Sequence, residues 1–202
     1  STVSTLQNAT LEFYTTAFAP TGDYEALISV ANPFPNNANY SVLTANRGGG
    51  QGIGTGARIN GNNEDQNVTT GTNLSGGQLV TVVYSGVSGV GTTGAETIYV
   101  NGTQAATGPS VYSFAYMASA SASVVGIGGG SPWSDPTYQG GMTEVRLWSG
   151  AFTPDQVVAD YNAGPDALGV AAPEPSEVAA FGLGVLCLGL LALKARKRPI
   201  AS

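Results

Sequence analysis

The side chains of this sequence that could do chemistry are carboxylates, amides and hydroxyls. The chain has no histidine, which excludes an imidazole general base, a Ser-His-Asp triad and a histidine-ligated zinc ion. The only cysteine, Cys187, lies in an apolar run, so we expect no disulfide framework and no exposed thiol nucleophile. The first lysine is Lys194, so the preceding chain lacks the lysine of a phosphate-binding loop. The chemistry that remains is hydrolysis by paired carboxylates or cation binding by oxygen atoms.

The acidic residues do not form the pair that a glycosidase needs, which is two carboxylates about 5 to 9.5 Å apart across a sugar-binding cleft. Glu144 lies in an alternating segment, 142–148, where it shares a face with Arg146 and Trp148. No second acid accompanies it, and no Glu-x-Asp-x-x-Glu series occurs in the chain. We therefore interpret Glu144 as an exposed ion-pair partner of Arg146, and we predict no catalytic residue.

The densest group of oxygen ligands lies in the segment 60–67. Hard cations such as calcium take six to eight oxygen ligands from loops of this kind. The candidate calcium ligands are Asn62, Glu64 and Asp65. Because the spacing differs from that of an EF-hand, a solvated turn is the alternative interpretation.

A loop rich in proline and glycine holds the candidate ligand-binding residues Trp133, Asp135 and Tyr138. The two aromatic rings could stack on sugar rings, with the carboxylate beside them. The alternative is that these rings cap the hydrophobic core, as large aromatic side chains commonly do.

The charge of the chain disfavours nucleic acid as a partner. The formal net charge is −6, and four of the seven basic residues lie in the last nine positions. Before residue 172 only Arg47, Arg58 and Arg146 are basic, against eleven acidic residues. Nucleic-acid binding depends on neutralising phosphates with lysine and arginine, which this part of the chain does not supply.

Short alternating segments with turn residues between them indicate an all-β domain. Asn101-Gly102 predicts a tight hairpin, since both central residues of a type I′ turn need positive φ. The glycine run 48–56 misses the spacing of a dinucleotide-binding loop and is interpreted as a flexible loop or hairpin. The predicted strands are 11–18, 24–30, 40–45, 78–84, 97–100, 111–117, 123–127 and 142–148.

A single helix is predicted over 153–163. Thr153 and Gln156 have the spacing of a capping box, Pro154 takes the first helical position, and Gly164 ends the segment. Many strands followed by one short helix are typical of a β-sandwich.

The order of four segments resembles the second half of a laminin-G-like, concanavalin A-like domain. They are 78–86, 98–103, 138–148 and the helix that begins at Thr153. The resemblance implies an antiparallel β-sandwich with one short helix over residues 1–164, followed by a linker over 165–172. Because the family usually has further strands before the one at Leu11, we expect that an N-terminal portion, with any signal peptide, is missing.

The end of the chain has the composition of a sorting signal. A proline hinge, Pro173-Glu174-Pro175, precedes a run over 178–193 that holds no charged residue, and Arg196-Lys197-Arg198 follows it. As a helix this run would be about 24 Å long, somewhat under the hydrocarbon core of a bilayer, and the basic residues fit a cytoplasmic stop. We predict a single transmembrane helix over 178–193, with a buried core helix as the alternative.

These three elements, in this order, resemble the PEP-CTERM signal of exported bacterial proteins, here over 173–202. The resemblance implies a Gram-negative bacterium, a membrane-anchored precursor, processing by an exosortase, and delivery to the cell surface or extracellular matrix. From hydropathy alone, only a single-span anchor would follow.

The sequence therefore predicts a non-enzymatic, exported protein whose lectin-like sandwich contacts polysaccharide. A truncated glycoside hydrolase and a structural coat protein without a ligand are the alternatives. Calcium is the one cofactor considered.

Overall fold

The computed structural model of the chain describes residues 6–19, 22–31, 40–58, 68–86, 94–110, 124–129 and 135–167. Within these residues the chain forms nine strands and one helix. They are β1 Ala9–Phe18, β2 Ala26–Ala31, β3 Tyr40–Thr44, β4 Gly54–Arg58, β5 Leu79–Ser85, β6 Gly94–Val100, β7 Thr103–Ser110, β8 Val124–Ile127, β9 Gly140–Ser149 and α1 Pro154–Ala163.

The strands form two antiparallel sheets. The five-stranded sheet has the order β7-β6-β5-β1-β9, and the four-stranded sheet has the order β4-β3-β2-β8. All pairings between named strands are antiparallel. The predicted all-β sandwich with one short helix is confirmed for the described residues.

The hydrophobic core lies between the sheets and is built by alternation. Leu11 and Phe13 of β1 are paired with Val82 and Val80 of β5, and all four side chains are buried. Leu43 of the four-stranded sheet belongs to the same cluster. Each such side chain stabilises the fold by about 1.5 to 3 kcal/mol through the removal of apolar surface from water.

Helix α1 covers the outer face of the five-stranded sheet. Its start is fixed as predicted, because the Thr153 side chain accepts a hydrogen bond from the backbone N–H of Gln156 while the Gln156 side chain accepts one from the backbone N–H of Thr153. Val157 then packs on Val83 and Tyr99, which point away from the core. Both faces of the centre of this sheet are consequently buried.

The predicted Asn101-Gly102 hairpin is confirmed. Both residues have positive φ, 51° and 76°, and the turn joins β6 to β7. The Asn101 side-chain carbonyl also accepts a hydrogen bond from the backbone N–H of Leu79, 2.9 Å away, which ties the turn to β5.

Strand β4 differs from the expectation, because its first three residues, 54–56, belong to the glycine run interpreted as a loop or hairpin. Small residues are required there. A Cβ atom on Gly54 would lie 2.8 Å from the Arg47 side chain and 2.9 Å from that of Thr69. Close approach of neighbouring chain segments thus explains Gly54, a residue type that sequence propensity treats as a strand breaker.

Two further expectations differ from the structure in detail. Tyr24 was placed in the second strand, but its φ is 66° and β2 begins at Ala26. Strand β7 was not predicted, and its sequence, with Gly108 and Pro109, has weak strand propensity. The strand expected over 111–117 lies outside the described residues.

No helix among the described residues is long and apolar enough to cross a membrane. The predicted linker after residue 167, the transmembrane helix over 178–193 and the sorting signal over 173–202 lie outside those residues.

The contact of helix α1 with the sheet predicts a difference between two neighbouring valines. Val157 is fully buried and Val158 is 44% exposed. We expect Val157→Ala to lower the free energy of unfolding by about 1 to 3 kcal/mol, which thermal unfolding would detect as several degrees. Val158→Ala should change it by less than about 0.5 kcal/mol. Equal effects of the two substitutions would contradict this packing.

Candidate functional site

Among the described residues, a cluster of charged side chains lies beneath helix α1 and centres on Arg146. The Arg146 guanidinium donates hydrogen bonds to both carboxylate oxygens of Glu144, at 2.7 and 3.0 Å. Its Nη1 donates to Asp160 Oδ2 at 2.7 Å, and its Nη2 donates to the backbone carbonyls of Gly164 and Ala167. The predicted Glu144–Arg146 ion pair is confirmed, although the pair lies against the helix and Glu144 is only partly exposed.

Glu12 completes this arginine cluster, which consists of Glu12, Glu144, Arg146 and Asp160. The Glu12 side chain is fully buried, and its Oε2 lies 3.9 Å from Arg146 Nη1. Trp148 Nε1 donates a hydrogen bond to Glu12 Oε2 at 2.8 Å. Alternation along β1 predicts that Glu12 lies opposite the core face, but only the position of α1 makes that face an interior one.

Burial governs the protonation of the acids in the cluster. Loss of solvent and, to a smaller extent, the neighbouring Asp160 carboxyl raise the pKa of Glu12, while Trp148 and Arg146 lower it, and the net result is a pKa of about 7. Hydrogen bonds from Arg146 lower the pKa of Glu144. The cluster therefore joins β1, β9 and α1 inside the fold. Its most buried acids, Glu12 and Asp160, are not accessible to a substrate.

Another buried acid, Glu96, points into the core from β6. Its side chain is 3% exposed, and no group in the described part of the chain donates a hydrogen bond to its Oε1. The pKa of Glu96 is raised to about 7, because the effect of burial exceeds that of the Thr55 hydroxyl and the charge of Arg47, which both lower it. This carboxyl is likewise out of reach of a ligand in solution.

An accessible groove lies between the edges of the two sheets, and we call it the edge groove. Its volume is about 230 Å³. Apolar atoms are contributed by Ile53, Val100 and Ala105. Its polar lining consists of hydroxyl and amide side chains, those of Thr70, Thr72, Asn73, Gln78, Thr103 and Gln104.

Backbone hydrogen bonds hold one wall of the edge groove against the start of β4. The Ile53 N–H donates to the Thr72 carbonyl, and the Thr70 N–H donates to the Ile53 carbonyl, both at 2.9 Å. Gly52 has φ 79°, and a Cβ atom there would lie 2.2 Å from the Thr72 backbone. Glycine is thus required for the close approach that forms this wall.

Part of the polar lining is already hydrogen-bonded within the protein. The Thr70 hydroxyl donates to the Thr72 carbonyl, and the Gln78 side-chain carbonyl accepts from the Ser75 N–H at 2.7 Å. The amides of Asn73 and Gln104 are exposed and make no hydrogen bond within the described part of the chain. These two amides are therefore available to a ligand.

Of the predicted ligand-binding residues, Asp135 and Tyr138 are not among those that line the edge groove. Tyr138 is 8% exposed, and its ring lies parallel to that of Phe18 with 5.2 Å between centroids. Asp135 is half-buried, and Trp133 lies outside the described residues. The sugar-binding role of Trp133, Asp135 and Tyr138 stays a prediction.

The predicted calcium ligands and sorting residues are not among the described residues. This applies to Asn62, Glu64 and Asp65, and to Pro173, Glu174, Pro175, Arg196, Lys197 and Arg198. Within the described ranges no three acidic or sulfur-bearing side chains converge on a point that could hold a metal ion.

Sequence reasoning missed the edge groove because its residues come from four separate segments. Ile53 precedes β4, Thr70 to Asn73 lie in a loop, Gln78 precedes β5, and the rest flank the Asn101 turn. The clustering of Asn, Gln and Thr near these turns was the only signal available.

Residues 1–158 match the family model of the concanavalin A-like lectin/glucanases superfamily. No curated protein matches the chain by sequence.

Two solved structures show the same fold at low sequence identity. The CBM40 module of the Ruminococcus gnavus IT-sialidase, bound to α2,3-sialyllactose, has a TM-score of 0.60 and 16% identity, over 79% of this chain and 85% of that one. Domain 4 of AbnA, a GH43 extracellular arabinanase from Geobacillus stearothermophilus, was solved in complex with arabinotriose. It has a TM-score of 0.55 and 20% identity, and the match covers 77% of this chain and 66% of that one.

Two of the buried acids, Glu12 and Glu96, predict that stability falls as the pH rises. Glu12 and Glu96 have pKa values of about 7 in the folded chain, above the ordinary value of 4.5. As the pH rises, the unfolded chain loses these protons before the folded chain does. The contribution of the two carboxyls to the free energy of unfolding is therefore complete below pH about 4.5 and is lost as the pH rises through about 7. Thermal unfolding should show a lower melting temperature at pH about 8 than at pH about 5, and Glu12→Gln should reduce the difference.

Glu144→Gln is the matched control. The pKa of Glu144 is lowered, so this carboxyl titrates below the range from pH about 5 to about 8. The melting temperature of the Glu144→Gln variant should therefore fall over this range as it does in the unmodified chain. A Glu12→Gln variant with the same pH dependence as the unmodified chain would show that Glu12 does not titrate there.

Proposed function

The chain belongs to the concanavalin A-like lectin/glucanase superfamily, and from this we propose that it is a non-catalytic carbohydrate-binding protein whose ligand lies in the edge groove. Its fold neighbours include a carbohydrate-binding module and an arabinanase domain that were solved with bound oligosaccharides. At 16% and 20% identity these neighbours support the fold, and the ligand must be argued from this chain's own residues.

The observation that carries the proposal is the chemistry of the edge groove. Six of its lining side chains end in hydroxyl or amide groups, which both donate and accept hydrogen bonds as sugar hydroxyls do. Ile53, Val100 and Ala105 supply apolar surface for the C–H faces of a sugar ring. Concave sites with an apolar lining and a few fixed polar groups are typical of ligand pockets.

The wall formed by Thr70 to Asn73 is held in place before any ligand arrives, because backbone hydrogen bonds tie it to residues 51–53. Preorganisation lowers the conformational entropy that binding must remove. The groove can therefore bind through a few hydrogen bonds without an aromatic ring among its described lining residues.

The placement of the acids supports a binding role over a hydrolytic one. Glu12 and Glu96 are buried, and both oxygens of Glu144 accept hydrogen bonds from Arg146. No acid is among the described residues that line the edge groove. A retaining or inverting glycosidase would need two carboxylates facing the sugar there.

We extend the proposal to delivery of the protein. The tail over 173–202, with its proline hinge, apolar run and basic cluster, is proposed to act as a PEP-CTERM signal that anchors the precursor in the inner membrane. An exosortase would then separate it from the sandwich, which would reach the cell surface or matrix, where polysaccharide is abundant.

Removal of the two available amides should weaken carbohydrate binding. We expect Asn73→Ala with Gln104→Ala to raise the dissociation constant of a bound oligosaccharide about tenfold, since each lost hydrogen bond is worth about 0.5 to 1.5 kcal/mol. Titration calorimetry against a panel of oligosaccharides would measure this. Gln139→Ala is the control, because it removes an exposed amide in the loop before β9.

The same samples test the enzymatic alternative. Incubation with each bound glycan should release no reducing ends above background. Steady release that disappears in a Glu144→Gln variant would overturn the non-catalytic assignment, since Glu144 is the partly exposed acid of the arginine cluster.

Processing of the tail can be followed with an epitope tag at each end of the chain. In a host with an exosortase the C-terminal tag should be lost, and in a host without one the protein should stay intact and membrane-bound. Glu174→Ala with Pro175→Ala should retain the tag in both hosts, because the apolar run that drives insertion is unchanged. Glu177→Ala, just outside the hinge, should be processed normally. A wild-type tag retained in the competent host would make the tail an ordinary anchor.

A further inference from the structure

We propose that the edge groove selects uncharged glycans and rejects chains that carry sialic or uronic acids. This inference rests on the proposed function and names the class of ligand for the same groove. The question is open because one fold neighbour was solved with a sialylated ligand and another with a neutral arabinose oligosaccharide.

The first argument is the composition of the lining. Every described residue that lines the edge groove is uncharged. The two amides without a partner in the described part, on Asn73 and Gln104, can donate to a sugar hydroxyl and accept from it with equal ease. A ligand carboxylate would use only the donors, and it would leave water for a site without a compensating positive charge, which costs free energy.

The second argument is that the basic side chains of the domain are committed elsewhere. Arg146 is 7% exposed and lies inside the arginine cluster. Arg47 is 3% exposed and lies 6.0 Å from the centre of the Tyr24 ring. Arg58 ends β4 opposite Tyr40 and does not line the groove. Before Lys194 the sequence has no other basic residue that could pair with a ligand carboxylate.

The third argument is the long-range field. The chain has a formal charge of −6, and its first 171 residues hold eleven acids against three arginines. Such an excess repels a polyanion at low ionic strength, and salt screens the repulsion. Two effects therefore act against anionic glycans, a salt-sensitive repulsion and a salt-insensitive lack of a counter-charge in the groove.

The test uses pairs of oligosaccharides that differ by a carboxylate. Titrations with lactose and 3′-sialyllactose, and with galactotriose and trigalacturonic acid, would compare like chains, and arabinotriose, xylotriose, cellotriose and mannotriose would search for the preferred neutral sugar. We expect the tightest ligand to be neutral and to bind at least tenfold more tightly than any acidic chain. The preference should persist at about 0.5 M salt, where exposed charges are largely screened.

A charge added to the groove should change the preference. Ala105 is exposed on β7 and lines the groove, so Ala105→Lys should raise the affinity for the acidic member of a pair at least fivefold. Gln139→Lys adds the same charge outside the groove and should not. This comparison separates a local counter-charge from a change in net charge.

The outcomes separate the two levels of the proposal. If no saccharide of either kind binds, the proposed function fails, and the inference fails with it. If an acidic chain binds more tightly than its neutral partner, the inference alone fails. A neutral preference that vanishes at high salt, or that Ala105→Lys and Gln139→Lys alter equally, would assign the discrimination to net charge and overturn the role of the groove.

Discussion

The five-stranded sheet is buried on both faces at its centre, and much of the molecule follows from this constraint. One face meets the four-stranded sheet through Leu11, Phe13 and their neighbours. The other face meets helix α1 through Val157. Side chains that alternation sends away from the core are therefore interior as well. A ligand cannot reach this sheet centre, whereas the edge groove beside β4 and β7 is accessible.

The arginine cluster is the electrostatic consequence of that double burial. Three carboxylates, of Glu12, Glu144 and Asp160, share the single guanidinium of Arg146. Burying charges costs free energy even when they are paired, and such a network often adds less stability than apolar packing would. The cluster instead holds chain segments in position. Arg146 also donates hydrogen bonds to the backbone carbonyls of Gly164 and Ala167, which fixes the chain where it leaves α1.

The sequence predicted the parts of this fold that are encoded locally. The capping box at Thr153, the Asn101-Gly102 turn and the shared face of Glu144 and Arg146 each depend on residues within a few positions of one another. The burial of Glu12 could not be predicted in this way. Its face follows from alternation, whereas its environment depends on a helix more than a hundred residues later in the chain.

The edge groove depends on contacts that are still less visible in sequence. Its walls meet because Gly52 allows the backbone of Thr72 to approach, and glycine in a run of glycines predicts only a loop. The predicted site residues Asp135 and Tyr138, by contrast, were chosen for their side-chain type, and Tyr138 lies against Phe18 with little exposed surface. Residue type alone did not identify where a polar, accessible surface would form.

The central claim is that a glycan binds at the amides of the edge groove. It is tested most directly by following the side-chain NH₂ signals of the protein by nuclear magnetic resonance while a neutral oligosaccharide is added. The account predicts that the signals of Asn73 and Gln104 shift in a saturable way and that the signal of Gln139 does not. Saturable shifts confined to Gln139 and its neighbours would place the ligand at the loop before β9 and contradict the account.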